Sequence, residues 1–171
     1  MHHRTPPSYR NADRWAQSVV QAYNRKRQAR LPPLILLVED DDAYRDVLSE
    51  KMVADGFHVA STKNGAHALH FLRTSIAEQT DAYLPDLIVS DIRMPNLDGF
   101  ELLDQVREIG PLIPTILLTG FGTEGLQERA LRLGCDQFLN KPLTYNKLSE
   151  HMRKLLLASA LEPDGGQNKP S

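Results

Sequence analysis

The sequence LPDLIVSDIRMPNLDGF, residues 84–100, places an uninterrupted apolar run just ahead of a carboxylate. The run is Leu87, Ile88 and Val89, and the carboxylate is Asp91. Apolar character that is continuous, rather than alternating with polar residues, is typical of a strand buried on both faces of a parallel sheet. The segment therefore predicts a central parallel strand that holds Asp91 at its carboxyl end.

Length and composition fit one globular domain with short extensions. The chain has 171 residues, of which 41% are hydrophobic and 25% charged. These fractions are ordinary for a folded domain and too apolar for a disordered chain. Its single cysteine cannot form an internal disulfide, and neither a secretory leader nor a membrane-spanning run is visible. We therefore expect a cytoplasmic protein.

Charge is distributed unevenly along the chain. Residues 1–31 contain seven Lys or Arg residues and a single Asp, whereas the region that follows is acidic. We predict a basic, partly helical extension over 1–31, a folded domain over 32–161, and a flexible tail or the start of a linker over 162–171. Apolar residues at helical spacing within 11–30 predict an amphipathic helix. A charged helix exposed to solvent is the first interpretation, and the helix could instead dock on its own domain, a second subunit or another protein.

Apolar runs of strand length alternate with helical patterns along the folded domain. Strands are predicted at 34–38, 57–60, 87–89, 116–118 and 137–139. Helices are predicted at 43–53, 66–72, 100–109, 126–133 and 143–157. Asp42 is expected to cap the first of these helices and Thr144 the last. The alternation predicts a doubly wound α/β sheet with right-handed crossovers and helices on both faces.

Polar side chains follow four of the predicted strands. They are Glu39 and Asp40 after the first, Asp91 after the third, Thr119 after the fourth and Lys141 after the fifth. In open α/β sheets the working groups lie at the carboxyl ends of strands, near the point where the strand order reverses. Three carboxylates at one edge repel one another unless a cation neutralises them, and hard oxygen ligands suit Mg²⁺. We therefore expect a Mg²⁺ site that could also take Mn²⁺.

Several short motifs resemble, in order, those of the receiver domain of bacterial two-component response regulators. The motifs are VEDD at 38–41, SDIRMP at 90–95, DG at 98–99, LTG at 118–120 and KP at 141–142. The resemblance covers 34–157 and implies a flavodoxin-like fold with strand order 2-1-3-4-5. It also implies a signalling domain rather than an enzyme, with a sensor histidine kinase or a phosphotransfer protein as its phosphoryl donor.

The resemblance implies a role for each acidic residue. Asp91 is similar to the aspartate that accepts the phosphoryl group. Asp40, Asp91 and the backbone carbonyl of Arg93 would bind Mg²⁺ directly, and Glu39 would hold it through water. The chemistry is consistent, because a carboxylate is a poor nucleophile toward a phosphoryl dianion unless a cation neutralises both.

The remaining matches concern phosphoryl binding and switching. Lys141 would place an ammonium, and Thr119 a hydroxyl donor, on phosphoryl oxygens. Phosphorylation adds about 1.5 to 2 negative charges, which can draw Thr119 inward. Phe138 matches the family's aromatic that turns inward in the active state, although a core aromatic is an equal interpretation. The resemblance also implies a cis peptide bond before Pro142.

Arg93 and Phe121 follow Asp91 and Thr119 by two residues each. The family varies at these positions, which flank the path of attacking water. We expect a long cation and an aromatic ring there to slow loss of the phosphoryl group. The alternative is that both side chains simply point to solvent.

Two enzyme classes compete with the signalling interpretation. GFGTEG at 120–125 is a literal dinucleotide-binding pattern, but it follows the fourth predicted strand and no acidic residue ends the next one. A phosphatase with an aspartyl nucleophile also needs Asp, Mg²⁺, Thr and Lys. Such enzymes carry a second Asp two residues after the nucleophile, where this sequence has Arg93.

Partners follow from the same interpretation. The surface formed by 126–157 is expected to contact a downstream protein, because movements at Thr119 and Phe138 would reshape it. A homodimer is left open. No recognised DNA-binding fold fits the basic extension, so direct nucleic-acid binding by the domain is not expected. No output domain is visible, so the chain is either a single-domain regulator or the receiver portion of a longer one.

Overall fold

The computed structural model describes residues 31–77, 84–109 and 113–161, together with Gln21. Its strands are β1 (Leu34–Val38), β2 (His58–Thr62), β3 (Leu87–Asp91), β4 (Thr115–Thr119) and β5 (Gln137–Asn140). The helices of these ranges are α1 (Asp42–Ala54), α2 (Gly65–Ala77), α3 (Gly99–Ile109), α4 (Glu124–Arg132) and α5 (Tyr145–Leu161). All strand pairs are parallel in the order β2-β1-β3-β4-β5, which confirms the predicted flavodoxin-like sheet.

Both faces of the sheet are covered by helices, because its central strands are apolar on both sides. β3 and β4 are buried along their whole length. Helices α1 and α5 pack on one face, through Leu48, Met52, Leu148 and Met152. Helices α2 and α3 pack on the other face, through Ala68, Leu72, Leu102 and Val106. The side chains that reach the carboxyl ends of the strands are therefore carried on a fully packed support.

The start of α1 corrects one expectation. Asp41, not Asp42, is the N-cap residue, and its side chain accepts a hydrogen bond from the Tyr44 N–H at 2.9 Å. The backbone is still extended at Asp41 and is already helical at Asp42, so the cap falls one position earlier than expected. Asp42 instead lies in the first helical turn and accepts a hydrogen bond from Arg45 at 2.6 Å. The expected cap at Thr144 is confirmed by the Lys147 N–H, which donates to its hydroxyl at 3.3 Å.

A polar clasp joins the end of α1 to α5. Asp55, which follows α1, accepts hydrogen bonds from the Ser149 hydroxyl at 2.6 Å and the Tyr145 hydroxyl at 3.1 Å. The Arg153 guanidinium lies 2.8 Å from its other carboxylate oxygen. The Ser149 hydrogen bond, followed by those of Tyr145 and Arg153, holds the pKa of Asp55 below its ordinary value.

Other predicted features lie outside the described residues. The basic extension and its predicted helix within 11–30 lie outside them, except for Gln21 and Leu31. The predicted tail over 162–171 also lies outside them. α2 runs to Ala77, beyond its predicted end, and residues 78–83 are again outside the described ranges.

Candidate functional site

The polar side chains predicted from the strand ends come together at one edge of the sheet. Glu39 and Asp40 follow β1, Asp91 ends β3, Thr119 ends β4 and Lys141 follows β5. β1 and β3 are neighbours in the sheet although β2 separates them in sequence. The strand order therefore reverses between them, which is the position where open α/β sheets bind ligands.

Glu39, Asp40 and Asp91 form an acidic cluster. One carboxylate oxygen from each residue lies within 4.8 Å of the oxygens of the other two. Glu39 and Asp91 are buried, whereas Asp40 is exposed. Mg²⁺ and Mn²⁺ prefer oxygen ligands, and Mg²⁺ commonly keeps several waters beside one or two carboxylates. The donor set of the acidic cluster therefore fits a divalent cation.

Lys141 ties the acidic cluster to β5. Its Nζ donates a hydrogen bond to Glu39 Oε2 at 2.7 Å and lies 3.5 Å from Asp91 Oδ2. The same ammonium lies 4.6 Å from the centroid of the Tyr44 ring, on the first turn of α1. Lys141 therefore neutralises part of the charge of the two buried members of the acidic cluster.

Burial and charge act in opposite directions on these groups. Burial raises the pKa of Glu39 and of Asp91, because the charged carboxylate loses water, and the positive charge of Lys141 offsets only part of the rise. For Lys141, burial acts to lower the pKa. Its hydrogen bond to Glu39 and the negative charges around it outweigh that effect, so the pKa of Lys141 ends above its ordinary value.

The loop after β3 fixes the orientation of Asp91. Asp91 Oδ1 accepts a hydrogen bond from the Ile92 N–H at 2.8 Å, which leaves Oδ2 on the Lys141 side. The Gly99 N–H donates to the Ile92 carbonyl at 2.8 Å, so the loop folds back onto the strand end. A Cβ at Gly99 would overlap the backbone oxygen of Asp91. The close return of this loop therefore requires glycine at position 99.

Thr119 and the loop after β4 close the site from the other side. Thr119 is buried, and its hydroxyl oxygen accepts a hydrogen bond from the Phe121 N–H at 3.2 Å. The Phe121 ring is 67% exposed, and the Arg93 guanidinium lies 4.6 Å from its centroid. The loops that follow β3 and β4 thus meet through an exposed cation–π contact. Both side chains are exposed, and their effect on loss of the phosphoryl group stays a prediction.

Phe138 lies on β5 and packs into the core. It is half-buried and pairs along the sheet with Leu117 of β4. Its ring packs against a buried cluster that contains Ile92, Phe100, Leu103, Leu117, Ala130 and Cys135. This position fits a core aromatic, and its role as a moving switch stays a prediction. The Lys141–Pro142 peptide bond is cis, as the resemblance implies.

The glycine pattern at 120–125 does not form a dinucleotide site. It follows β4, whereas the dinucleotide fingerprint follows the first strand of a sheet with a different strand order. Thr123 within it is the N-cap residue of α4, and its side chain accepts a hydrogen bond from the Leu126 N–H. The pattern therefore shapes a loop and a helix start.

Sequence reasoning missed two ring contacts near the site. Tyr44 lies under Lys141, and the Arg129 guanidinium on α4 lies 4.3 Å from the centroid of the Phe100 ring on α3. The first could have been expected, because Tyr44 stands on the first turn after the acidic residues. The second depends on how α3 and α4 pack, and no local sequence signal indicates it.

Among the described helices, none is long and apolar enough to cross a bilayer.

Comparisons with known proteins show the family to which the chain belongs. The family model of the response regulator receiver domain matches residues 35–153. Response regulator MprA of Mycobacterium sp. (strain KMS) is 32% identical over 141 residues, which cover 82% of this chain and 57% of that protein. The chain thus spans little more than half the length of this relative. An uncharacterized 14.6 kDa protein of Leptolyngbya boryana is 36% identical over 126 residues, covering 72% of this chain and 90% of that protein.

The fold has close counterparts among solved structures. A CheY-like response regulator receiver domain protein from Methanospirillum hungatei superimposes with a TM-score of 0.68 at 24% identity. The match covers 75% of this chain and 97% of that one. At this identity the likeness shows a shared fold.

Proposed function

The chain belongs to the response regulator receiver domain family of two-component signalling, and we propose from this that Asp91 is its phosphoryl acceptor. The observation that carries the proposal is the position of Asp91 at the end of β3, inside the acidic cluster and 3.5 Å from Lys141 Nζ. Receiver domains are signalling domains, so the acceptor's state, rather than a released product, is the output.

The proposed metal site uses the residues of the acidic cluster. Asp40, Asp91 and the backbone carbonyl of Arg93 would bind Mg²⁺, with Glu39 acting through water. Bound there, Mg²⁺ would offset negative charge on the acceptor and the phosphoryl group. The fit is supported by the donor set, which contains only carboxylate oxygens among its side chains.

Transfer from a donor phosphohistidine would use Asp91 Oδ2, the carboxylate oxygen that accepts no backbone hydrogen bond and faces Lys141. Oδ1 is occupied by the Ile92 N–H, so Oδ2 would form the new bond to phosphorus. The bond from phosphorus to the donor nitrogen breaks, and the nitrogen keeps the electron pair. Lys141 then stabilises a phosphoryl oxygen, because its ammonium already lies between Glu39 and Asp91.

Signalling would begin at Thr119. Its oxygen accepts a hydrogen bond from the Phe121 N–H, so its own hydroxyl proton can be donated to a phosphoryl oxygen. That new hydrogen bond would draw the loop after β4 toward Asp91. Phe138 packs under α4, and we propose that its ring turns inward when this loop moves. The surface formed by 126–157 would carry the change to a downstream protein.

The Arg93–Phe121 contact would govern how long the phosphoryl group lasts. The guanidinium and the ring are in contact, and together they would cover the approach to Asp91 and hinder attacking water. Arg93→Ala and Phe121→Ala should each accelerate loss of phosphate from the phosphorylated protein. Decay rates equal to wild type in both variants would refute this role.

An aspartyl-nucleophile phosphatase is the second candidate, because it uses the same residue types. Arg93 stands where that class needs an acid–base carboxylate, so we favour the signalling role. Sustained hydrolysis of an external phosphate ester would reverse this preference.

The proposal also covers the protein's location and its partners. We place the protein in the cytoplasm, with a sensor histidine kinase or a phosphotransfer protein as donor and the folded domain at 32–161 as the unit that it recognises. The extension over 1–31 is proposed as a docking segment, with a second copy of the chain or another part of a longer regulator as its partner.

Acetyl phosphate with Mg²⁺ tests the acceptor assignment. Wild type should gain a phosphoryl group that is labile to alkali and hydroxylamine, as an acyl phosphate is, and that Asp91→Asn lacks. Asp104→Asn is a matched control, because Asp104 is exposed on α3 and outside the acidic cluster. A chelator should abolish labelling of both wild type and Asp104→Asn. Equal labelling of wild type and Asp91→Asn would overturn the assignment.

A further inference from the structure

Two arginines beside the site differ from the other arginines of the described ranges. Five guanidiniums have carboxylate, amide or carbonyl partners, namely those of Arg45, Arg73, Arg107, Arg132 and Arg153. Arg93 and Arg129 have no such partner among the described residues. Each lies over an aromatic ring instead, Arg93 over Phe121 and Arg129 over Phe100. Their N–H donors therefore stay available while stacking limits their freedom.

Both arginines line the same cavity. The cavity has a volume of about 490 Å³ and is bounded by the loop after β3, the start of α3 and the start of α4. Thr119 also lines it, so the space is continuous with the position that a phosphoryl group would take. A cavity of a few hundred Å³ with apolar walls and a few convergent polar groups suits a small ligand.

We propose that Arg93 and Arg129 form a carboxylate-binding subsite, and that the domain prefers small acyl phosphates bearing a second carboxylate as direct phosphodonors. The inference rests on the proposed function, because it names a class of substrate for Asp91. Guanidinium is the side chain best matched to a carboxylate, through paired N–H donors in one plane. A short carbon chain would cross the apolar wall, where Phe100 and Leu126 lie.

The cavity is also lined by two acidic side chains, Asp40 and Asp98. Asp98 Oδ1 accepts a hydrogen bond from the Glu101 N–H at 2.8 Å, so Asp98 acts as a cap for α3. Asp40 belongs to the acidic cluster, at the phosphoryl end of the cavity. The ligand would therefore place its phosphoryl group at the acidic cluster and its carboxylate at Arg93 and Arg129.

The proposed transfer balances without another reactant. An Asp91 oxygen forms a bond to phosphorus while the bond between phosphorus and the acyl oxygen breaks. The acyl group leaves as a carboxylate, which keeps the electron pair. The two arginines would not change the order of bond making; they would raise the fraction of donor bound in the reactive position.

Binding can be measured without the transfer reaction. 3-Phosphonopropionate and ethylphosphonate share a carbon–phosphorus bond that cannot be transferred, and only the first carries a carboxylate. NMR titration of wild type, with and without Mg²⁺, should give about tenfold tighter binding of 3-phosphonopropionate, as expected for a charge-assisted contact of about 1.4 kcal/mol. Arg93→Gln and Arg129→Gln should each reduce this preference to about threefold or less.

Arg132→Gln is the matched control, because Arg132 is also exposed on α4 and pairs with Glu128 outside the cavity. It removes the same charge and should retain the tenfold preference. Equal affinity of wild type for the two phosphonates would overturn the proposal. So would a loss in Arg132→Gln as large as in Arg129→Gln, since that would show only an effect of net charge.

Kinetics add an independent comparison. Wild type should be phosphorylated several-fold faster by succinyl phosphate than by acetyl phosphate, and the ratio should fall toward one in Arg129→Gln. Failure of the proposed function can be told apart from failure of the subsite. If Asp91 is not the phosphoryl acceptor, neither donor labels it, whereas the preference for 3-phosphonopropionate over ethylphosphonate can still be measured. Equal rates of labelling by the two donors in wild type would count against the subsite alone.

Discussion

Lys141→Met tests the charge balance of the site directly. The substitution removes the ammonium that lies 2.7 Å from Glu39 Oε2 and 3.5 Å from Asp91 Oδ2. Those side chains are 2% and 12% exposed, so water cannot replace the lost cation effectively. Breaking a buried ion pair in this way costs about 3–5 kcal/mol, and we expect about 3 because Lys141 is itself 22% exposed.

The expected loss is large enough to measure by urea or thermal unfolding. For a domain of about 130 residues, 3 kcal/mol corresponds to a fall of roughly 10 °C in Tm. The measurement is made first in metal-free buffer. Mg²⁺ should then stabilise Lys141→Met more than it stabilises wild type, because in the variant the added cation is the only one that offsets Glu39 and Asp91.

Lys147→Met is the control for loss of a positive charge. Lys147 is exposed on the first turns of α5, away from the acidic cluster, and its replacement should change the free energy of unfolding by no more than about 0.5 kcal/mol. If Lys141→Met were as stable as Lys147→Met in metal-free buffer, the buried pair would contribute nothing and the reasoning would be refuted.

Three further outcomes are expected from the scaffold of the site. Asp55→Asn should lower the free energy of unfolding by about 1 kcal/mol at pH 7. The pKa of Asp55 is lower in the folded state, so its contribution to stability is fully present above the unfolded pKa of about 3.9 and is lost as the pH falls through the folded pKa. A difference in unfolding free energy between wild type and Asp55→Asn that stays constant in acid would contradict this. Gly99→Ala should destabilise the domain by about 1–3 kcal/mol and slow labelling of Asp91, whereas Gly125→Ala, whose Cβ meets nothing within 4 Å, should not; equal urea midpoints would contradict the clash. Burial raises the pKa of Cys135 to about 11, so a thiol reagent at pH 8 should react only as fast as the domain unfolds, and rapid labelling of the folded protein would be inconsistent with this.

The parts of the fold that follow from hydrophobic pattern were predictable. β1, β3 and β4 are buried on both faces, so their apolar runs stand out in the sequence. β2 was placed one residue early and too short, because its residues are partly exposed and include His58, Ser61 and Thr62. The N-cap at Asp41 does not follow from the sequence, since three successive aspartates offer equivalent caps and only the backbone conformation selects one.

The sequence predicts which residues form the candidate site, but it does not predict which of their atoms are in contact. Strand ends of a parallel sheet meet at one edge, so the grouping of Asp40, Asp91 and Lys141 follows from topology. The sequence does not indicate that Lys141 bonds Glu39 more closely than Asp91, because that preference depends on side-chain rotamers and burial. The stacking of Arg129 on Phe100 likewise depends on the packing of α3 against α4.

The hydrogen bond between Lys141 and Glu39 joins residues that are 102 positions apart in the chain. During synthesis, Glu39 and Asp91 are made long before β5 exists, so the acidic cluster has no ammonium partner until the last strand is added. Contacts of such separation form late, because the intervening chain must be ordered first. A shortened or half-made chain would therefore contain Asp91 without its neutralising lysine, and competence to accept a phosphoryl group would arise only in molecules whose folding is complete.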